Sequence, residues 1–267
     1  MQISFLPAVA ATGHVRAFCM ALLIALLSGC ASTGGGLSRG DAEALENAID
    51  RDDAVYVAAA IRGGLSADHR VPAASYSAGA PLIALAARAA SLNTLRLLIK
   101  AGADVNAPTP VNETPLMLAA YFRDDGANSA ARHDEAVRIL LAAGARVENE
   151  AHHYTPLSYA AFSDRRRAIG YLLEHGARVD ADAANGMIYI NTPLMMAVIQ
   201  GHREAVRALL RAGANPSIRV QGGNTAREFA AKYRHSHVEP LLACAESMPP
   251  GRRFIQHCEG QSVASGQ

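Results

Sequence analysis

No tryptophan occurs in this sequence, and phenylalanine and tyrosine bring the aromatic share to only 5%. A core built around large rings is therefore excluded. The half of the chain that is hydrophobic is mostly alanine and leucine, which fits short, closely packed helices. An excess of charge is lacking too. The formal net charge is +1, and the first 29 residues contribute only Arg16 to it. The remainder of the chain is near neutral, which argues against a nucleic-acid surface or a polybasic membrane patch. The apolar run Ala17–Leu27 is too short to cross a bilayer as a helix. His-Glu-x-x-His, a phosphate-cradling glycine loop and a dinucleotide fingerprint are missing. Acidic and basic residues are scattered at helix-surface positions, where no pocket gathers them. No catalytic residue, no cofactor and no enzymatic activity are expected.

What is present is a phrase that recurs: Thr-Pro-Leu, alanines, paired leucines, then Gly-Ala. Copies begin at Thr114, Thr155 and Thr192 and close on Gly144, Gly176 and Gly213. With the threonine as position 1, it caps a helix and the proline fits the first turn. Leucine at position 3 and alanines at 6 and 7 make an apolar face of small side chains. A second helix carries the leucine pair near positions 17 and 18, and glycine at 22 ends it. Self-similarity on this scale means a stacked array.

These residues resemble the ankyrin repeat, a unit of two antiparallel helices and a β-turn. The resemblance implies an all-α solenoid of helix-turn-helix units with β-turn fingers. Thr192 to Asn215 follows the pattern without a gap. Thr155 to Ala177 keeps the spacing, with Asp164-Arg165 where Gly-His is usual. Upstream, Pro81–Ala87 runs to Gly102–Asn106 with Thr-Pro degraded. Thr225–Leu242 is a truncated copy with Pro240 placed inside its second helix, and Glu43–Gly64 suits an N-terminal cap. About six units are expected over residues 41–247, followed by a tail at 248–267. Extra residues precede Pro81 and Thr192 (Asp182–Asn191), and a nine-residue insertion, Arg123–Ala131, separates the helices of the third unit. Such departures either carry specificity or are drift tolerated at a solvated edge.

The N-terminus reads as an export signal over 1–29. Its end, Leu27-Ser28-Gly29-Cys30, resembles the lipobox of bacterial lipoproteins. That resemblance implies cleavage before Cys30 and acylation (palmitate-type chains) at Cys30, giving a stable membrane anchor; the alternative is an unlipidated signal peptide. Ala31 points to the outer membrane, and the expected location is the periplasm. Residues 30–40 form a flexible tether of glycine and small polar residues.

His133, His202 and His235 all fall at position 11, for which the ankyrin resemblance implies a structural hydrogen bond. His152-His153 and His235-x-His237 lack a third ligand at convincing spacing, so no metal is expected. Of four cysteines, the lipobox resemblance implies that Cys19 leaves with the signal and that Cys30 is lipidated. That leaves Cys244 and Cys258 in an expected oxidising compartment, either bridged, pinning the tail to the last unit, or free or paired between molecules.

Ankyrin arrays, by resemblance, bind proteins through their fingers and the exposed residues of the first helix. Positions 8 and 9 are Arg88-Ala89, Tyr121-Phe122, Phe162-Ser163, Ile199-Gln200 and Lys232-Tyr233. The fingers contribute Glu113, His152, Tyr154, Tyr189, Gln221 and Asn224. Six aromatic residues fall in these places (Tyr121, Phe122, Tyr154, Phe162, Tyr189 and Tyr233), whereas Tyr159, Tyr171 and Phe229 occupy core positions. Aromatic side chains on one face supply an interface hot spot; the alternative is that Phe122 and Phe162 fill gaps between units. The expected function is a monomeric, membrane-tethered protein-binding scaffold. Its partner is a toxic periplasmic effector, such as one delivered by type VI secretion, which makes the chain an immunity protein. Alternatively the partner is a resident periplasmic enzyme that it stabilises, as in oxidative-stress defence. Envelope organisation is a weaker third role.

Overall fold

Four threonines open helices, and each does so with the same bond. Thr114, Thr155, Thr192 and Thr225 accept a hydrogen bond from the main-chain N–H three residues on, at Met117, Ser158, Met195 and Glu228. Each cap is worth about 1 kcal/mol. Pro115, Pro156 and Pro193 follow in the first turn, where a missing N–H costs nothing. A computed structural model describes residues 37–71, 78–121, 129–149, 154–181, 192–219, 223–248 and 254–259. Within them run α1 (Arg39–Asp50), α2 (Ala54–Arg62), α3 (Leu82–Arg88), α4 (Leu92–Lys100), α5 (Pro115–Ala120) and α6 (Ser129–Ala142). They continue with α7 (Pro156–Phe162), α8 (Arg166–Glu174), α9 (Pro193–Ile199), α10 (Arg203–Arg211), α11 (Ala226–Lys232) and α12 (Glu239–Glu246).

These twelve helices form six pairs, the expected number of units. Among the described residues the extended backbone pairing is one isolated bridge, Arg70 to Pro81. First helices pack on first helices in one row, from α1 to α11, and second helices on second helices in another, from α2 to α12. After α1, the first helices have only six or seven residues. Helices that short do not hold in water by themselves, so burial must hold them. Ala86, Ala87, Ala119, Ala120, Ala160 and Ala161 are fully buried, and their small size lets the row close up. Leu116, Leu157 and Leu194 fill the layer between the rows. The second helices from α2 to α10 end on glycine, and Gly176 and Gly213 take the left-handed φ (+86° and +93°) that a side chain disfavours.

Two turn positions join unit to unit. At position 10 the chain adopts positive φ in five units, at Asp52, Ala90, Asp164, Gly201 and Arg234. Gly201 does so free of side-chain cost, and a Cβ there would meet His235 Nδ1 at 2.8 Å. Position 11 then reaches back to the preceding unit. His133, His202 and His235 place Nε2 3.1, 3.0 and 3.0 Å from the carbonyls of Arg88, Phe162 and Ile199. A carbonyl only accepts, so each Nε2 carries the hydrogen. This is the structural role expected of these histidines. Ser91 Oγ, also at position 11, donates to the Ile49 carbonyl at 2.5 Å, one residue earlier in the preceding unit.

Several boundaries differ from expectation. Pro240 stands in the first turn of α12 and not in its interior. A proline deeper in the helix would lose a bond and clash with the preceding turn, so the helix starts later. Residues 129–131 of the insertion are not linker but the first turn of α6, which has 14 residues against nine in α4, α8 and α10. The first described helix begins at Arg39, where the Ser38 side chain accepts from Asp41 N–H. Residues 36–40 spell Gly-x-Ser-x-Gly, but this serine caps a helix and does not stand on the strand-to-helix elbow of hydrolases. Cys244 and Cys258 are joined by a disulfide with Cα atoms 5.8 Å apart, and the adjacent Phe254 is buried in the core. The signal segment, Cys30 and the loops 72–77, 122–128 and 182–191 lie outside the described residues. Among those described, no helix is long and apolar enough to cross a membrane.

Candidate protein-binding groove

Two neighbouring units, the third and fourth, bring aromatic side chains together on the first-helix row. The α5 helix stops at Ala120, and Tyr121 turns to an extended conformation as the chain leaves for the insertion. The Tyr121 ring then meets Tyr159 edge-on, with centroids 5.4 Å apart and planes at 73°. It also lies stacked near Phe162, at 6.0 Å and 28°. Both geometries are those preferred by ring quadrupoles. With Tyr154 from the finger and Met196 from α9, these rings line a cavity of about 160 Å³. All five lining residues are half-buried.

Glu113 is bonded to one wall. The Tyr159 hydroxyl donates to Glu113 Oε1 at 2.7 Å. Burial first, and then the bond to Glu113 and its charge, push the Tyr159 hydroxyl far above the usual phenol range. Tyr159 therefore stays a donor to Glu113. The fingers below are fixed by a ladder of side chains, each accepting from a main-chain N–H one unit on. Asp68 takes Asp104 N–H, Asn106 takes Arg146, Glu148 takes Arg178 and Asp180 takes Asn215. Burial raises the pKa of Asp180, and the bond from Asn215 opposes it. A finger held at two ends presents its residues with little left to order on binding.

Of the residues expected at the interface, Glu113, Tyr121, Tyr154 and Phe162 meet at this groove. Ile199 is half-buried and Gln200 exposed at the end of α9. Arg88, exposed, lies on the second unit. Lys232 and Tyr233 lie on the sixth, with Nζ 5.7 Å from the Tyr233 ring and 6.0 Å from that of Phe229. Phe122, His152, Tyr189 and Gln221 fall outside the described residues. The register places Tyr159 in the core. Its ring instead forms a groove wall, because its hydroxyl needs a partner and finds Glu113 at the surface. Tyr171 is likewise only half-buried, whereas Phe229 is buried as expected. The signal for Tyr159 was a phenol at position 5, where other units carry Leu85, Leu118, Met196 and Phe229. His235 and His237 do not converge on a ligand; their Nε2 atoms face the carbonyls of Ile199 and Gly201.

Residues 83–183 match the family model for ankyrin repeats (three copies), and residues 190–220 match the model for a single ankyrin repeat. The chain is 31% identical over 144 residues to an ankyrin repeat protein of fowlpox virus, covering 92% of that protein. It is 33% identical over 164 residues to the E3 ubiquitin-protein ligase KEG of Arabidopsis thaliana. It is 43% identical over 88 residues to the palmitoyltransferase Hip14 of Drosophila melanogaster. The matches span 10% and 13% of those two proteins, and 60% and 33% of this chain.

Proposed function

Because the chain belongs to the ankyrin-repeat family, we propose that it is a non-enzymatic scaffold that binds a protein partner at the Tyr121–Tyr159–Phe162 groove. In this reading, Glu113 and Tyr154 contribute at the groove, and Arg88, Ile199, Gln200, Lys232 and Tyr233 extend the surface along the row. Phe122, His152, Tyr189 and Gln221 add to it from the neighbouring loops. Acyl chains on Cys30 hold the scaffold at the periplasmic face of a bacterial membrane, with residues 30–40 as the tether. The partner is a toxic effector, and the chain acts as a monomeric immunity protein. The observation that carries the reading is the convergence of aromatic rings from the third and fourth units on one small cavity, beside the insertion that interrupts the repeat. Hot spots are built this way, from large rigid rings in a partly desolvated site.

The test is capture of periplasmic partners by the full chain and by its Tyr121→Ala/Phe162→Ala variant. Loss of one hot-spot ring, at about 2 kcal/mol, already weakens capture about thirtyfold, and loss of both weakens it further. Undiminished capture by a folded variant removes the groove from the interface. Cys30→Ala should release the protein from membranes, and protection against a toxin encoded beside it tests the immunity role.

A further inference from the structure

We infer that the groove receives one cationic side chain of the partner, an arginine; this rests on the protein-binding reading above. Size comes first. At about 160 Å³ the cavity lies well below the ~300–1,000 Å³ of sites for whole small molecules, and it suits the head of a single side chain. Charge decides which kind. The five residues lining it are Tyr121, Tyr154, Tyr159, Phe162 and Met196, none of them basic or acidic. The formal charge bonded to the wall is the carboxylate of Glu113. Ring faces carry the negative end of the aromatic quadrupole, so this wall attracts a cation more than it attracts an alkyl group. Tyr159 adds to that by donating its hydroxyl hydrogen to a carboxylate, which leaves its ring richer in electrons. Arginine fits better than lysine. Its planar guanidinium stacks on a ring while its fork of N–H groups reaches an acceptor at the edge. A carboxylate accepts more than one donor, so Glu113 serves Tyr159 and an arginine together.

The test titrates the full chain with N-acetyl-arginine amide, its neutral isostere N-acetyl-citrulline amide, and N-acetyl-norleucine amide. Ring-proton shifts of Tyr121, Tyr154 and Tyr159 are followed by NMR. Arginine is expected to shift these rings saturably, and citrulline to bind at least about threefold more weakly, the range of an exposed cation–π contact. Glu113→Gln keeps an acceptor for Tyr159 but removes the charge, and it should bring arginine to the level of citrulline. Norleucine binding as well as arginine overturns the inference, because the groove then takes an aliphatic anchor. Rings that respond to no ligand overturn it too. If arginine binds while the Tyr121→Ala/Phe162→Ala variant still captures its partner, the scaffold reading of the groove fails and the arginine inference stands only as a free site. If capture is lost but citrulline and arginine bind alike, the inference fails alone.

Discussion

The turns Gly201-His202 and Asp164-Arg165 occupy the same place in adjacent units, and they solve one problem by different means. In the fifth unit, glycine takes the left-handed turn and the His202 imidazole donates to the Phe162 carbonyl at 3.0 Å. In the fourth, aspartate takes the turn at φ 52°, and Arg165, 5% exposed, donates to the Ala130 carbonyl and to Asp134 Oδ1, both at 2.5 Å. The acceptor has moved. The histidines elsewhere reach a position-8 carbonyl, which in the third unit belongs to Tyr121. There the chain is extended and departs into the insertion. The insertion returns as an extra turn of α6, and that turn supplies Ala130 and Asp134. In this unit position 10 is Arg132, inside the helix, so the left-handed turn is gone as well. A longer side chain spans the altered junction, but it carries a charge into a buried place and needs a counter-charge there. An insertion in an array is thus absorbed by the unit that follows it.

Removing that counter-charge is the most severe test of the comparison. Asp134→Ala leaves Arg165 buried without its carboxylate, and we expect a loss of about 3–5 kcal/mol in denaturant unfolding. A loss under about 1 kcal/mol would show that the two junctions are energetically alike. His202→Ala should cost less, about 1–2 kcal/mol, since it orphans one neutral carbonyl. Hydrogen exchange should show that loss confined to the fourth and fifth units, because repeats couple to nearest neighbours. Asp164→Gly has the smallest effect and the opposite sign. It relieves a strained φ and should stabilise by up to about 1 kcal/mol, read as a higher unfolding midpoint.

Much of this was legible in the residues alone. Thr114, Thr155 and Thr192 announce their caps, Gly144, Gly176 and Gly213 their stops, and alanine at positions 6 and 7 the close row. Each rests on a rule that acts within a few residues. Position 11 was legible as structure in its histidines, but Arg165 looked merely irregular, because its reason lies in Asp134, 31 residues away. Tyr159 was misplaced for a like cause: its register says core, and only its partner Glu113, 46 residues away, brings it to the groove.

The array, its count of units, its caps and turns, and the histidine bonds that tie unit to unit are all written in the order of the residues. A repeat is encoded in local spacing, and stacking copies of it requires no further instruction. Packing in three dimensions settled the rest: which aromatic side chains meet, that Glu113 is bound to Tyr159, and that Arg165 answers the insertion. Those facts depend on distances between residues far apart in the chain. Such distances follow from how far each turn advances the stack, and the insertion changes that advance by an amount its own letters do not reveal.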